Sequence, residues 1–111
     1  MSLVVDLQSE NGVSRITLAG ELDASSAGAF RAAVEEAAAL RPRRLALMAD
    51  GLQYMASAGL RVLVFAKQKL GASTEIVIVG AQPSIVETLE MTGFTDSVVM
   101  LETYDAARID A

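Results

Sequence analysis

The sequence predicts an α/β fold: a single mixed sheet of about five strands with about four helices, built as one domain over residues 1–111. Asn11-Gly12 lies between two segments that alternate apolar and polar residues, which is typical of an antiparallel hairpin. Beyond the hairpin, short apolar runs alternate with segments of helical periodicity. This alternation predicts parallel βαβ units with right-handed crossovers.

The hairpin and the first helix follow from local spacing. Strands are predicted for Leu3 to Ser9 and Val13 to Ala19, and Gly20 to Asp23 ends the hairpin. Ser25 or Ser26 is a suitable N-cap for the helix that follows. The apolar stripe of that helix recurs at helical spacing and consists of Phe30, Ala33, Val34, Ala37 and Leu40.

The second half of the chain continues the same alternation. A buried strand is predicted for Arg44 to Ala49, a loop for Asp50 to Ala56, and a helix from Ser57 to about Leu70. The β-branched run Thr74 to Val79 predicts another buried strand. The later elements are a helix beginning at Pro83 and broken by Gly93, a strand from Ser97 to Leu101, and a short helix from Tyr104 to Ile109.

Charge and hydropathy limit the classes of partner. The formal net charge is −5, with only nine Lys and Arg residues, so the chain lacks the dense basic patch that binds nucleic acid phosphates. No apolar run approaches the ~20 residues that span a bilayer. The first residues also lack the basic start and apolar core of a signal peptide. We therefore expect a cytoplasmic protein that inserts into no membrane.

The composition also argues against catalysis. Neither Cys nor His occurs, which removes thiol chemistry, the Ser-His-Asp triad and the usual zinc ligands. No glycine-rich phosphate loop follows a strand. Asp23 and Asp50 could form a carboxylate pair for acid–base work or Mg²⁺, but both residue types are also common in turns, the preferred interpretation. The sequence thus predicts no enzyme, no catalytic residue, no metal and no cofactor.

The most informative segment joins a predicted parallel strand to the following helix. In open α/β sheets this edge is where ligands and partners usually bind. Ser57 lies at the predicted helix start, among the small residues Ala56, Ala58 and Gly59. A phosphate on Ser57 would lie at the positive end of the helix dipole, near free backbone N–H groups. The simpler alternative is that Ser57 is only a helix N-cap.

The outer face of that helix has two possible orientations. In one, Val62 and Phe65 are exposed beside Arg61 and form an apolar patch with a cationic edge, a composition that suits protein interfaces. In the other, the helix is rotated, so that Phe65 is partly covered and Lys67 is exposed. Periodicity alone does not choose between them.

Three motifs in order and spacing resemble the STAS domain, found in bacterial anti-sigma factor antagonists and at the ends of sulfate transporters. The resemblance covers nearly the whole chain. The motifs are Gly20-Glu21-Leu22-Asp23, Tyr54-Met55-Ala56-Ser57-Ala58-Gly59-Leu60-Arg61-Val62-Leu63, and Pro83-Ser84-Ile85-Val86-Glu87-Thr88-Leu89-Glu90-Met91-Thr92-Gly93-Phe94.

This resemblance implies a STAS-like fold and a partner-switching regulator. The partners it implies are an anti-sigma factor that is also a serine kinase, and a phosphatase that resets the switch. Ser57 matches the phosphorylated serine, and Asp23 matches an acidic residue near the docking surface. The expected partner-binding residues are Asp23, Ala56, Ser57, Ala58, Gly59, Arg61, Val62 and Phe65.

Two positions depart from the family pattern. Ala56 stands where the family often has Asp, and Met48 where it often has Asp or Asn. The missing acid leaves the acceptor hydroxyl in place. It also suits a second role of STAS domains, as small cytosolic subunits of lipid or anion transport complexes that bind proteins without phosphorylation.

Overall fold

An antiparallel hairpin opens the fold, as its turn chemistry predicts. The structure, a computed structural model, describes residues 3–110. Strands β1 (Leu3–Glu10) and β2 (Val13–Leu22) pair antiparallel. Asn11 and Gly12 between them have φ angles of 54° and 80°. Positive φ at both central residues is what a two-residue hairpin turn requires, so the Asn-Gly prediction is confirmed.

Helices and parallel strands then alternate along the rest of the described chain. The elements are α1 (Ala27–Ala39), β3 (Arg44–Met55), α2 (Ser57–Leu70), β4 (Glu75–Val79), α3 (Pro83–Met91), a 3₁₀ turn (Phe94–Ser97), β5 (Val99–Leu101) and α4 (Ala106–Ile109). The sheet order is β1-β2-β3-β4-β5, and all pairs after the hairpin are parallel. The predicted mixed five-stranded sheet is confirmed.

The sheet has a large core on one face and a small one on the other. Apolar residues of α1, α2 and α3, such as Phe30, Leu63 and Leu89, pack with Ile16 and Leu47 of the sheet. On the opposite face, α4 covers a smaller cluster. Its buried members are Val13, Ala46, Val77, Val79 and Ile109. Each of these three helices follows a strand in the chain, so their N-termini lie towards the carboxyl ends of β2, β3 and β4.

Strands β2 and β3 extend further than local patterns predict. The loop predicted for Asp50 to Ala56 is wrong: β3 continues to Met55, and Leu52 is buried in the core. Likewise β2 continues to Leu22 and pairs with Met55. Two shifts in the β2–β3 register absorb the extra residues of β3. Such bulges interrupt the alternation on which strand prediction depends, which is why Gly51 and its neighbours resemble a loop.

The last strand and helix are shorter than predicted. Strand β5 begins at Val99, because residues 94–97 form the 3₁₀ turn. Helix α4 begins at Ala106, because the Asp105 side chain accepts a hydrogen bond from the Ala107 N–H and caps it. Within residues 3–110, no helix is both long enough and apolar enough to cross a membrane.

Charged side chains hold the C-terminal segment against the sheet. The Glu75 carboxylate accepts hydrogen bonds from Arg44 at 2.8 Å and from Arg108 at 2.8 and 2.7 Å. Arg15 forms an ion pair with Asp110. The bonds from Arg108 and Arg44 lower the pKa of the Glu75 carboxyl from 4.5 to about 2. Ionised Glu75 therefore favours the folded state.

We predict that the contribution of Glu75 to stability disappears in acid. Because its pKa is lower in the folded state, the contribution is complete above about pH 4.5 and is lost as pH falls towards 2. Glu75→Gln should lower the free energy of unfolding at neutral pH by less than about 1 kcal/mol, since the side chain is partly exposed. Urea unfolding should show this difference from wild type shrinking at pH 3.

The matched control is Glu36→Gln, which removes the same charge from an exposed position on α1. If wild type and Glu75→Gln differ by the same amount at pH 7 and pH 3, the Glu75 ion pairs do not stabilise the fold.

Candidate functional site

Two segments meet at the carboxyl edge of the parallel strands: the loop from β2 to α1 and the junction from β3 to α2. Leu22 pairs with Met55 at the last register position of β2 and β3. The Ala56 N–H donates to the Leu22 carbonyl over 2.8 Å. This hydrogen bond holds the residue before Ser57 against the residue before Asp23. The two segments that the motifs identify separately are therefore adjacent.

Ser57 is the first residue of α2, and its side chain is exposed. The N-cap is Ala56, with an extended backbone (φ −86°, ψ 173°) and no side-chain capping bond. The alternative interpretation of Ser57 as the N-cap is therefore wrong. Among residues 3–110 the Ser57 hydroxyl makes no hydrogen bond. The fold does not use this hydroxyl as a bonding partner, which leaves it accessible to another molecule.

The first turn of α2 concentrates positive potential around Ser57. The N–H groups of Gly59 and Leu60 bond to the Ala56 carbonyl at 2.9 and 3.3 Å. The N–H groups of Ser57 and Ala58 come before the first intrahelical donor, Gly59, and have no acceptor within the helix. The first turn contains no acidic residue. An anionic group on Ser57 would therefore meet backbone donors and the positive end of the helix dipole.

Gly59 lets α2 approach the end of β2. A Cβ atom at this position would lie 2.6 Å from Leu22 Cγ and 2.8 Å from Met55 Cγ, well inside van der Waals contact. Leu22 is 1% exposed and has little room to move. Gly59 is buried as well. Its role at the site is thus to seat the helix, and it is not available to a partner as a contact.

Asp23 organises the loop that faces Ser57. Its Oδ1 accepts hydrogen bonds from the Ser25 hydroxyl at 2.7 Å, the Ser25 N–H at 3.0 Å and the Ser26 N–H at 3.2 Å. The bond from the Ser25 hydroxyl is the main reason that the pKa of Asp23 is lowered. Ser26 is the N-cap residue of α1, but its hydroxyl donates to the Glu21 carbonyl at 2.8 Å instead of capping. Asp23 itself closes the turn.

A shallow groove between α1 and α2 lies beside Ser57. Small side chains form its floor, and two arginines flank it. The groove is lined by Ala27, Gly28, Arg31, Ala58, Arg61 and Val62. The Arg31 guanidinium lies 3.9 Å from the centre of the Phe65 ring, a cation–π contact that orients it across the groove. Arg61 is exposed one turn beyond Ser57 on the same helix.

The exposed face of α2 differs from both predicted orientations. Val62 is only 6% exposed and packs in the core, so its expected exposure is wrong. Phe65 is half-buried, as the rotated orientation predicts, but Lys67 is half-buried too. Val64 is the exposed apolar residue of this helix. Lys67 can lie on the side of α2 that faces the sheet because its aliphatic stem covers apolar surface while its ammonium group reaches water.

Asp50, the second residue of the candidate carboxylate pair, has different neighbours from Asp23. The Asp50 carboxylate is beside Gly80: its Cγ would be 2.8 Å from a Cβ at that glycine. The Asp23 carboxylate instead accepts hydrogen bonds from the Ser25 hydroxyl and the Ser26 N–H. Within residues 3–110, no group of three or more His, Cys, Asp or Glu side chains is arranged to hold a metal ion. Met48 packs against the small cluster beneath α4.

Two residues were not predicted as part of the site: one near the end of β3 and one in the α1–α2 groove. Tyr54 is 53% exposed, but it falls in the segment that the pattern predicts as a loop. Arg31 belongs to α1 and approaches the site only through the packing of two helices. Helical spacing does place Arg31 on the outer face, yet no sequence signal pairs it with Phe65.

Comparison with known proteins identifies the family. The sequence model of the STAS domain matches residues 4–107, nearly the whole chain.

The chain belongs to the STAS domain family.

Two relatives of this STAS domain are named as anti-sigma factor antagonists. Anti-sigma-F factor antagonist RsfB of Mycobacterium tuberculosis is 30% identical over 78 residues, which cover 70% of this chain and 64% of the relative. That is less than two thirds of the relative's length. The crystal structure of an anti-sigma factor antagonist from Mycobacterium paratuberculosis superposes with a TM-score of 0.88 at 23% identity, covering 98% of this chain and 95% of the other.

A second structural relative is SpoIIAA of Bacillus in its phosphorylated form. It superposes with a TM-score of 0.74 at 18% identity, covering 96% of this chain and 97% of the other. At these identities the two structural likenesses confirm the fold alone.

We predict that Gly59→Ala destabilises the STAS domain by about 2 kcal/mol, because the added methyl group overpacks the contact with Leu22 and Met55. Gly28→Ala is the control: a Cβ there meets nothing within 4 Å, and the change should be neutral or stabilising by a few tenths of a kcal/mol. Urea unfolding followed by circular dichroism measures both. Equal stabilities of the two variants would show that Gly59 is not tightly packed.

Proposed function

We propose that this STAS domain is an anti-sigma factor antagonist-like partner-switching regulator. In its unmodified form it binds an anti-sigma factor that is also a serine kinase, and the sigma factor is released. The kinase phosphorylates Ser57, the phosphorylated form dissociates, and a phosphatase restores the hydroxyl. The protein is not an enzyme in this cycle, and it acts in the cytoplasm, where kinase and ATP are available.

The observation that carries the proposal is the state of the Ser57 hydroxyl. It is exposed at the first turn of α2 and has no hydrogen-bond partner within residues 3–110. A kinase can therefore reach the oxygen without unfolding the helix or breaking a bond in the fold. The names of RsfB and of the phosphorylated SpoIIAA structure support the same assignment by family likeness.

The charge of a phosphate on Ser57 would switch partner binding. A phosphoserine adds a charge of about −1.5 to −2 near pH 7. Before modification, the groove beside Ser57 has cationic flanks from Arg31 and Arg61, which favour an acidic partner surface. After modification, the phosphate offsets those cations and opposes the same partner charges. The domain itself tolerates the phosphate, because it lies at a helix N-terminus. The change therefore acts on the complex, not on the fold.

The partner-binding surface is proposed around this groove. Ala56, Ala58, Arg61 and Phe65 are at least partly exposed around Ser57. Asp23 holds the facing loop through its serine bonds. Gly59 and Val62 are buried and do not contact the partner directly; they hold α2 in position under this surface.

Ala56 favours one alternative, a STAS subunit of a lipid or anion transport complex that binds its partner without phosphorylation. The family often has Asp at this position, and Ala56 provides no carboxylate to assist a kinase. In that role Ser57 would be a contact residue of the same surface. The two functions differ in whether Ser57 is modified.

We predict that the cognate anti-sigma factor kinase of the host adds one phosphoryl group to Ser57. Mass spectrometry after incubation with ATP should find the modification on wild type and not on Ser57→Ala. Ser57→Asp should bind the kinase about tenfold more weakly than wild type or Ser57→Ala, because it places a negative charge in the interface.

Ser84→Asp is the matched control, because Ser84 is also an exposed serine in the first turn of a helix. It should leave binding unchanged. An unmodified Ser57 together with undiminished binding of Ser57→Asp would refute the switch. An unmodified Ser57 with weakened binding of Ser57→Asp would show that Ser57 is a contact residue of a surface that works without phosphorylation, as in the alternative role.

We also predict that Arg61→Glu weakens the complex with the anti-sigma factor by about tenfold, mainly by slowing association, because it reverses a flanking charge. Lys69→Glu on the last turn of α2 makes the same charge change away from the groove and should have little effect. Surface plasmon resonance at low and high salt measures both. Equal weakening by the two variants would mean that only net charge matters.

A further inference from the structure

A second groove lies between α3 and the edge of the sheet, away from Ser57. Half-buried apolar side chains of Val86, Met100 and Leu101 line it. Strand β5 forms one wall and pairs with β4 on one side; within residues 3–110, no strand pairs with its other side. An edge strand presents unpaired backbone N–H and C=O groups, which an extended peptide can bind by strand addition.

The charges around this groove all have the same sign. Glu87 and Glu90 border it on α3, and Glu102 borders it just beyond β5. All three side chains are exposed, and within the described part of the chain none forms an ion pair or side-chain hydrogen bond. Carboxylates clustered without counter-charges produce a negative potential that attracts cations and repels phosphates. The groove therefore disfavours nucleic acid and anionic membrane surfaces.

We propose that the α3–β5 groove binds an extended basic segment of a partner protein. The segment pairs with the free edge of β5. On the α3 face it places Lys or Arg beside the three glutamates, with their aliphatic stems against Val86 and Met100, and on the opposite face it places apolar side chains beside Leu101. This inference goes beyond the proposed partner switch, since it uses no residue of the Ser57 surface. The groove would hold a second contact or a second partner while Ser57 is in either state.

A labelled octapeptide of alternating Lys and Val, blocked at both ends, tests the proposal by fluorescence anisotropy with the full chain. It should bind about tenfold more tightly than the Gln-Val peptide, with an affinity that falls as salt rises. Peptide-induced shifts in the amide NMR spectrum should centre on residues 99–101. Methylating alternate peptide nitrogens should weaken binding, because strand addition needs those N–H groups.

The decisive variant combines Glu87→Gln, Glu90→Gln and Glu102→Gln, and should weaken Lys-Val binding about tenfold. Its control removes the same charge from exposed positions elsewhere, with Glu10→Gln, Glu35→Gln and Glu36→Gln, and should bind normally.

Equal weakening by both triple variants, or amide shifts centred on β1, would overturn the proposal. Equal binding of the Gln-Val peptide would also overturn it. Ser57→Asp should leave peptide binding unchanged, so this result does not depend on whether the partner switch is correct.

Discussion

The contact between Gly59 of α2 and Leu22 at the end of β2 determines the geometry on which the site depends. A Cβ at Gly59 would lie 2.6 Å from Leu22 Cγ, so only glycine allows the helix to start this close to the strand. The 2.8 Å hydrogen bond from the Ala56 N–H to the Leu22 carbonyl completes the junction. The buried contacts of Gly59 with Leu22 and Met55 fix the first turn of α2. The Ser57 hydroxyl is not needed to hold this turn in place, and it stays exposed.

The same junction explains how a modification could act without altering the fold. Asp23 satisfies the backbone of its own turn through Ser25 and Ser26, so the loop facing Ser57 is already ordered. A phosphate would meet the helix N-terminus and the cationic flank of Arg61, groups that stabilise added negative charge. Ala56 at the N-cap leaves first-turn N–H groups without a side-chain acceptor, whereas Asp there would cap them. The effect of phosphorylation is therefore expected at the surface, in what the domain can bind.

Local patterns predicted the parts of the fold that depend on local physics. Residue spacing and turn chemistry predicted the Asn11-Gly12 turn, the helix beginning at Pro83 and the order of strands and helices. The extension of β3 to Met55 was not, because register shifts against β2 replace the alternation there. The burial of Val62 and the contact of Arg31 with Phe65 depend on how two helices pack, which periodicity leaves open. Ser57 was recognised because a family motif and its place at a helix start coincided.

We propose that a partner docks where the β2–α1 loop meets the first turn of α2. Amide hydrogen–deuterium exchange of the unmodified chain, with and without its cognate anti-sigma factor, tests this most directly. We predict slowed exchange in residues 23–28 and 56–61, and unchanged exchange in α4. Protection confined to another surface, with these two segments exchanging as in the free protein, would contradict it.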